Sequence, residues 1–469
     1  MRWLSLSLSL VMLTGCAVGP DYEPAAASLP EAFVHAKADG DDTAAPVQGL
    51  WQSLGNEELT RLIDLALTNN TTIAQAVATM NETRALSGQA VYSLLPTVTV
   101  NGELERSRPA NEDPFAFPGL GVVERYRAGF DAEWEIDLFG SLRRRSESFF
   151  YLVDADEATV YAVQLSIVAE VAQTYFQWLG ESLRLEILKA NVRNQAENVA
   201  ILEAGLEAGR GTAFDVARAR AIERQIAASV PTAEAAVFRA EQRLSALTRV
   251  PVAELRDDLK SPSDFPALPP LVAVGTPADW LARRPDVYAA ERRLASATAN
   301  IGVATAEFYP KLNLVGDFGW TGTQSSSIGD SNAERWRVAP AISWRILDIG
   351  RVRQEAKAAK ARAAGALAAF DEAWITALEE TENALANYRA ATERAARLEE
   401  AAREAREASR LAELRYDAGA DSFLAVLDAD RTRIDLDDQL AQGRTDRATA
   451  LAALYKALGG DFAVAASKR

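Results

Sequence analysis

The sequence predicts a mixed α/β membrane protein with an internal duplication and four membrane-spanning β-strands per chain. Three observations support this: segments of about ten residues in which apolar and charged side chains alternate, helical stretches of nearly 70 residues, and landmarks that recur about 210 positions apart. Alternation with a period of two is typical of strands with two different faces. Helices of such length are several times the usual size and disfavour a solitary globular domain.

The composition excludes several classes of function. The 469 residues include one His, His35, and one Cys, Cys16. Zinc clusters, His-Cys pairs, Ser-His-Asp triads and disulfide frameworks need more of these residues. We therefore expect neither an enzyme nor a metal site or other bound cofactor. The net charge of −16 disfavours a nucleic-acid partner, because phosphate binding requires a dense cationic surface.

The first 15 residues are typical of a cleaved export signal, with Arg2 ahead of a short apolar run. Cys16 is either a buried residue inside an anchor or, after cleavage, a lipid-bearing N-terminal residue. Leu13-Thr14-Gly15-Cys16 resembles the bacterial lipobox, which implies diacylglycerol on the thiol and an acyl chain on the new amine. Ala17 then implies the outer membrane, because an Asp at that place would favour retention in the inner membrane.

The duplication organises the rest of the chain. Leu95-Pro96 recurs as Tyr309-Pro310, and Ala208-Gly209 recurs as Ala418-Gly419. We therefore assign a lipidated N-terminal segment at 16–55, a first repeat at 56–250 and a second repeat at 277–458. A Pro-rich linker at 251–276 separates the repeats, and a tail follows at 459–469.

Each repeat contains two predicted strands. Tyr126, Phe130 and Trp134 share an apolar face whose opposite face is charged, and Trp336 and Trp344 hold corresponding places in the second repeat. A soluble sandwich alternates in the same way. Aromatic side chains towards the ends of the apolar face and a densely ionic opposite face favour strands that face lipid on one side and water on the other. Their partner strands are predicted at 98–108 and 311–320.

Four strands do not close a barrel, because the smallest known closed barrels have about eight. An open edge in lipid would leave backbone groups unpaired at several kcal/mol each. The chain must therefore oligomerise to span a membrane in this way. Two, three or four copies would supply eight, twelve or sixteen strands, and strand counting does not choose among them.

The helices give a second geometrical clue. Residues 141–209 and 351–417 are each predicted as one helix of about 100 Å at 1.5 Å per residue. Shorter helices are predicted at 57–92, 212–248, 277–308 and 422–458. Within each repeat the two shorter helices together match the long one in length. This favours a long helical tube, with a coiled coil that lacks a lumen as the alternative.

The segment from Cys16 to Pro24, the duplication and the order of strands and helices resemble the lipoprotein branch, of NodT/OprM type, of the TolC-like outer-membrane factors. The resemblance implies a homotrimer with a 12-stranded transmembrane β-barrel continuous with a 12-helix periplasmic α-barrel. It also implies a periplasmic adaptor (membrane fusion protein) and an inner-membrane RND-type pump as partners. The function implied is passive export of small toxic compounds across the outer membrane of a Gram-negative bacterium.

Two other functions fit part of the pattern. A type I secretion duct passes proteins instead of small compounds, and the lipobox disfavours it. A lipid-anchored periplasmic coiled-coil scaffold would share the helices but would not need strands that face lipid. The sequence contains no Gly-x-x-x-x-Gly-Lys-Ser/Thr loop, so the energy for transport is expected from the pump.

The resemblance implies a periplasmic gate beside the two helix–helix turns. Leu424, Asp428 and Arg431 match the apolar constriction, the acidic ring and the nearby Arg of the lipoprotein branch. Phe214 and Arg218 occupy the equivalent places in the first repeat, 210 positions earlier. We hypothesise that Arg218 pairs with an acid of a neighbouring helix when the gate is shut.

The other candidate gate residues agree only in part with the TolC branch of the family. Asp215 and Tyr416 match gate residues there, whereas Asp421 stands where that branch has a gating Arg. Helical spacing predicts one acidic face from Asp428, Asp435 and Asp438. The turns are expected to contact the adaptor. Their residues are Gly209, Gly211, Thr212, Gly419, Asp421 and Ser422.

Overall fold

The computed structural model describes residues 17–25, 27, 29–34, 49–108, 110, 121–209, 211–259, 264–269, 276–281 and 283–460. The signal segment, Cys16 and His35 lie outside the described residues. The chain divides into two compact units. Unit 1 comprises Met1–Ala26, Ala78–Glu157 and Ala289–Asp371, and unit 2 comprises Ala27–Val77, Ala158–Tyr288 and Glu372–Arg469. Each unit therefore takes parts of both sequence repeats.

The elements follow the predicted order of helix, strand, strand, long helix and shorter helix in each repeat. The strands are β1 Thr97–Ser107, β2 Val123–Ile136, β3 Lys311–Gly322 and β4 Glu334–Ser343. The helices of the described residues are α1 Leu50–Ser53, α2 Glu57–Asn69, α3 Thr71–Tyr92, α4 Ser141–Glu207, α5 Ala213–Ala227, α6 Val230–Thr248, α7 Val252–Asp258, α8 Pro277–Leu281, α9 Pro285–Ala306, α10 Ile349–Asp417 and α11 Phe423–Ala457.

Unit 1 contains a single antiparallel sheet with the order β1-β2-β3-β4. Phe130 lies opposite Val100 on one side and Phe318 on the other, and Phe318 lies opposite Trp336. Residues paired across strands share a face, so this register extends one apolar face over all four strands. Its members are Val98, Val100, Leu104, Tyr126, Ala128, Phe130, Ala132, Trp134, Leu312, Leu314, Phe318, Trp320, Trp336, Val338 and Ile342.

The opposite face of the sheet is polar and ionic. Arg125 pairs with Glu105 of the neighbouring strand at 2.7 Å, and Arg335 pairs with Asp317 at 2.6 Å. Between these pairs, Gly129 and Gly319 stand opposite each other. A Cβ on Gly129 would lie 2.6 Å from the Phe318 carbonyl oxygen. The close approach of β2 and β3 therefore depends on glycine at this level of the sheet.

One strand is shorter than predicted. Trp344 was expected in a lipid-facing strand, but β4 ends at Ser343. Arg345 leaves the extended conformation with φ −82° and ψ 50°, and a turn of 3-10 helix follows at Ile346–Asp348. Trp344 therefore lies one residue beyond the strand.

The two long helices are confirmed, at 67 residues for α4 and 69 for α10. The shorter helices are less continuous than predicted, because three of the four are divided and only α11 is unbroken. At Asn70 the side-chain oxygen accepts from the Thr72 amide, which caps α3 anew. Pro231 and Pro285 lie at the starts of α6 and α9, where the missing N–H breaks the preceding helix. In the part of the chain that the structure describes, no helix is long and apolar enough to cross a membrane.

Unit 2 has an aromatic core where the shorter helices meet the long ones. Trp51 is 2% exposed and packs edge-on against Tyr455, with ring centroids 4.9 Å apart. Trp280 is fully buried, and its indole donates to the Ala457 carbonyl at 2.9 Å. Burying such rings stabilises the helix packing by about 2–3 kcal/mol each.

Gly129→Ala is expected to destabilise the sheet by about 1–3 kcal/mol, because its Cβ would overlap backbone of β3. Gly316→Ala is the matched control, since a Cβ there meets only the Arg337 carbonyl at an ordinary 3.6 Å. The readout is the temperature at which the folded, heat-modifiable form is lost in gel migration. Equal transition temperatures for the two variants would contradict this account of the glycine pair.

Candidate functional site

The apolar face of the sheet is open to the surroundings in the single chain. Phe130 is 47% exposed and Trp336 is 73% exposed, although both lie within regular strands. A soluble protein rarely leaves so large a contiguous apolar surface uncovered. The face is therefore suited to contact with lipid.

Two tryptophans end this face in an equivalent way. The indole of Trp134 donates to the Leu94 carbonyl at 2.9 Å, and that of Trp344 donates to the Phe308 carbonyl at 3.0 Å. Both carbonyls lie where a helix gives way to a strand. An apolar ring with one satisfied polar group is typical of the interface between membrane and water. Trp344 thus makes the same kind of hydrogen bond as its counterpart although it lies outside β4.

The first helix–helix turn is built by a glycine and a capping box. Gly209 has φ +68°, and its amide donates to the Leu206 carbonyl at 3.0 Å. The Thr212 hydroxyl accepts from the Asp215 amide, while the Asp215 carboxylate accepts from the Thr212 amide. These reciprocal bonds satisfy donors at the start of α5. Asp215, predicted as a gate residue, therefore has a structural role in the turn. Gly211, directly before the capping residue Thr212, is half-buried.

The second turn ends α10 with a Schellman motif. Gly419 has φ +69°, its amide donates to the Tyr416 carbonyl at 2.8 Å, and the Ala420 amide donates to the Arg415 carbonyl at 2.9 Å. The Asp421 carboxylate accepts from the Ser422 amide and pairs with Arg415 at 3.3 Å. Asp421 thus stabilises the turn in which it lies through contacts within the same chain.

Beside the second turn, Tyr416 is half-buried. Its ring packs edge-on against Phe423 with the centroids 5.0 Å apart. Phe423 also contacts a small buried cluster formed by Leu202, Val216 and Ala219. The two turns of one chain are therefore joined by apolar packing on one side.

The apolar residues predicted at the gate point away from that packing. Phe214 is 70% exposed and Leu424 is 46% exposed. Two residues further along each helix, Val216 and Val426 are buried. Both repeats therefore present one large exposed apolar side chain just past the turn.

The charged gate residues are also exposed. Arg218, Asp428 and Arg431 make no side-chain hydrogen bond or ion pair within the described ranges of the chain. Asp438 does not belong to their surface, because it makes a two-pronged ion pair with Arg184 of α4. The hydrogen bond to Asp438 raises the pKa of the Arg184 guanidinium. The predicted acidic face is therefore reduced to Asp428 and Asp435.

The sequence reasoning missed Asp430, which is only 4% exposed. One carboxylate oxygen accepts from the Ser409 hydroxyl of α10 at 2.7 Å, and the other accepts from the Gln195 amide of α4 at 3.3 Å. Arg433, one turn along α11, pairs with both Asp430 and Asp437. A signal was present, since Asp430 and Asp437 fall at helical spacing in a stripe of apolar residues.

The buried carboxylate also affects a neighbour. Burial raises the pKa of Glu413 on α10, and the negative charge of Asp430 raises it further, while Arg433 opposes the shift. Asp430 therefore organises a polar network that ties α11 to both long helices within one protomer.

Comparison with known proteins agrees with these features. The family of outer membrane efflux proteins matches residues 62–248 and 276–460. The chain belongs to this family. It is 30% identical over 480 residues to the solvent efflux pump outer membrane protein SrpC of Pseudomonas putida, with 99% of each chain covered. The outer membrane protein OprJ of Pseudomonas aeruginosa is also 30% identical, with 98% of this chain and 96% of OprJ covered.

Among solved structures, the outer-membrane channel OprN is similar, with 35% identity, a TM-score of 0.87 and coverage of 95% of this chain and 99% of that one. The predicted family, fold class and outer-membrane location are thereby confirmed. The family is described as one of efflux proteins and not of enzymes.

Asp430→Asn is expected to lower the free energy of unfolding by about 1–3 kcal/mol, because an amide cannot accept on both sides from Ser409 and Gln195. Asp428→Asn is the control, since its exposed carboxylate has no such partners, and it is expected to stay within about 0.5 kcal/mol of the wild type. Denaturant unfolding of the purified protein, followed by helical circular dichroism, measures both. A larger loss in Asp428→Asn would show that the two roles are assigned the wrong way round.

Proposed function

We propose that the chain is the passive outer-membrane channel of a tripartite efflux system, which exports small toxic compounds delivered by an inner-membrane pump through a periplasmic adaptor. The observation that carries the proposal is the sheet, with one continuous apolar face and one ionic face. Membership of the efflux family and the name of SrpC, a solvent efflux pump component, support the class of substrate.

The proposed assembly is a homotrimer. In the sheet that the structure describes, β1 and β4 each have a neighbour on one side only. Joining β1 of one copy to β4 of the next would pair both edges, and three copies would form a 12-stranded barrel in the membrane. Twelve strands place the ionic face around a water-filled lumen. The long helices and their shorter partners form the 12-helix periplasmic tunnel of this proposal.

Lipidation of Cys16 is part of the proposal. Diacylglycerol and an N-linked acyl chain would give more than one membrane anchor, which is what stable attachment requires. The lipobox resemblance supports this modification. The proposed domain limits also follow the sequence, with repeats at 56–250 and 277–458 around the linker.

The proposed gate lies at the exposed residues beside the two turns. Three copies of Leu424 and Phe214 would narrow the tunnel, and three copies of Asp428 would produce a focused negative field. Arg431 and Arg218 supply opposite charges near it. The turns themselves, from Gly209 to Thr212 and from Gly419 to Ser422, are the proposed contact with the adaptor, and Asp215 and Tyr416 support their shape.

The exposed apolar sheet favours the channel over a periplasmic scaffold. A scaffold would leave the apolar face around Phe130 and Trp336 in water. Exposing apolar surface to water costs a free energy of about 25 cal/mol per Å². Lipid or a neighbouring copy removes that cost.

Val338→Arg, on the apolar face of β4, is expected to reduce the assembled channel in the outer membrane, because Arg near the bilayer midplane costs about 2–4 kcal/mol. Ala341→Arg, on the opposite face of the same strand, is the matched control and should assemble normally. Both variants are expressed in a strain deleted for the protein and scored for heat-modifiable trimer and for sensitivity to organic solvents and antibiotics. Full solvent resistance with Val338→Arg would contradict the channel and favour the scaffold.

Arg218→Ala is expected to raise the conductance of the closed channel and antibiotic entry, because it removes a charge that pairs across helices in the shut gate. Arg220→Ala is its control, since Arg220 pairs with Glu203 inside the protomer. Single-channel recording in planar bilayers measures the effect. Unchanged conductance and permeability in Arg218→Ala would remove Arg218 from the gate.

A further inference from the structure

The first described residues of the chain, 17–22, belong to unit 1 and pack against its helices α4 and α9. We call them the strap. Arg144, in the first turn of α4, is only 5% exposed although it carries a charge. Its guanidinium donates to the Val18 carbonyl at 3.3 Å and to the Asp21 carboxylate at 2.6 Å. A third contact reaches the Gly19 carbonyl at 3.5 Å, and Glu147 accepts from the remaining side at 2.8 Å.

A buried charge is stable only when its donors are satisfied. Three of the four acceptors of Arg144 belong to the strap. Among the described residues, removing the strap would therefore leave the guanidinium with one ion-pair partner, Glu147, which lies three residues along the same helix. Arg144 and the strap thus stabilise each other.

Three glycines allow the strap to lie close to the helices. Gly19 has φ +99°, and a Cβ there would lie 2.4 Å from the Cα of Gly302 in α9. A Cβ on Gly302 would in turn lie 2.9 Å from the Val18 carbonyl oxygen. Gly140, just before α4, approaches Ala17 equally closely, since its Cβ would be 2.7 Å from the Ala17 Cα. The strap therefore fits a groove shaped for backbone.

Aromatic contacts hold the other end of the strap. The Tyr22 hydroxyl donates to Glu291 of α9 at 2.9 Å, and its ring packs edge-on against Tyr151 of α4 at 6.0 Å. The guanidinium of Arg292 lies over both rings, at 5.4 Å and 5.6 Å. Burial and the carboxylate of Glu291 raise the pKa of Tyr22 to about 12. This end of the strap is thus fixed between two helices.

The start of the strap lies beside the end of β2 and close to the start of β3. The Val18 amide donates to the Phe139 carbonyl at 3.1 Å, three residues after the end of β2. Phe139 stacks on Tyr309, which lies between α9 and β3, with the ring centroids 4.5 Å apart. Both positions are junctions between a helix and a strand, as are the carbonyls that hold Trp134 and Trp344.

We propose that the strap is a positioning element, locked by Arg144, that fixes the start of the mature chain at the β2–α4 junction and so sets the depth at which a lipid on Cys16 enters the membrane. The lipid would be attached to the residue directly before Ala17, and the Ala17 Cα lies against Gly140 at that junction. The partner of this surface is the acyl layer of the inner leaflet of the outer membrane. The inference rests on the proposed lipidation.

The test follows a nitroxide on Glu23→Cys in the full-length protein purified from membranes. Glu23 is exposed and directly follows the strap. Arg144→Ala is expected to raise the mobile fraction of the label on the order of tenfold or more, because it removes charge-assisted bonds to three strap residues. It is also expected to lower the amount of heat-modifiable trimer. Arg145→Ala, at the exposed neighbouring position, is expected to change neither measurement. A label that stays immobile in Arg144→Ala would overturn the proposal.

Two further variants keep the test decisive if Arg144→Ala loses its helical circular dichroism. Arg144→Lys retains the positive charge but loses the planar guanidinium that donates to several acceptors at once. The mobile fraction of the label is therefore expected to lie between those of the wild type and Arg144→Ala. Asp21→Asn alters only a strap side chain that is 87% exposed. It is expected to raise the mobile fraction several-fold, and no rise would overturn the proposal.

The number of labelled thiols separates this inference from the proposed lipidation. With Cys16 acylated, Glu23→Cys carries the only reactive thiol and one nitroxide binds per chain. Two bound labels would show that Cys16 is free. In that case the lipid depth assigned to the strap is wrong, while the mobility of the Glu23 label still reports whether Arg144 holds the strap.

Discussion

The backbone hydrogen bonds at the edges of the sheet are the constraint on which the rest of the structure depends. The apolar face that runs from Val98 across to Ile342 belongs in lipid, and an unpaired backbone group in hydrocarbon costs several kcal/mol. The edge strands β1 and β4 carry 11 and 10 residues. In the sheet that the structure describes, each of these strands is paired on one side only. Assembly is therefore a condition of the membrane fold and not an addition to it.

Because of the duplication, each chain contributes the same set of elements to the membrane fold twice. Each repeat delivers two strands, a tryptophan that bonds a helix-end carbonyl, a long helix and a turn with a glycine in the left-handed region. The pairs Trp134 with Trp344 and Gly209 with Gly419 occupy equivalent places and make equivalent bonds. The repeats differ where charge matters. Arg218 stands in place of Asp428, and the capping box of Asp215 has Ala425 as its counterpart.

The sequence predicts the strands and their faces well, because a period of two fixes which side chains share a surface once one face is apolar. The long helices follow in the same way from their uninterrupted helix-forming composition. The breaks at Asn70 and before Pro231 were missed, since a cap formed by a buried Asn and a proline inside a helical pattern are decided by the packing around them. Asp430 was missed for a related reason. A carboxylate is assigned to the surface by default. The partners that reveal the burial of Asp430 are Ser409 and Gln195, and both lie more than 20 residues away in the sequence.

Hydrogen exchange of the edge strands in native outer membranes tests the central claim most directly. If β1 of one copy pairs with β4 of the next, the amides of Thr97–Ser107 and Glu334–Ser343 will be as strongly protected as those of the inner strands β2 and β3. Exchange of the outward-pointing amides of β1 and β4 at the rate of an unpaired chain, with the amides that bond to β2 and β3 still protected, would show an open sheet and would contradict the closed barrel.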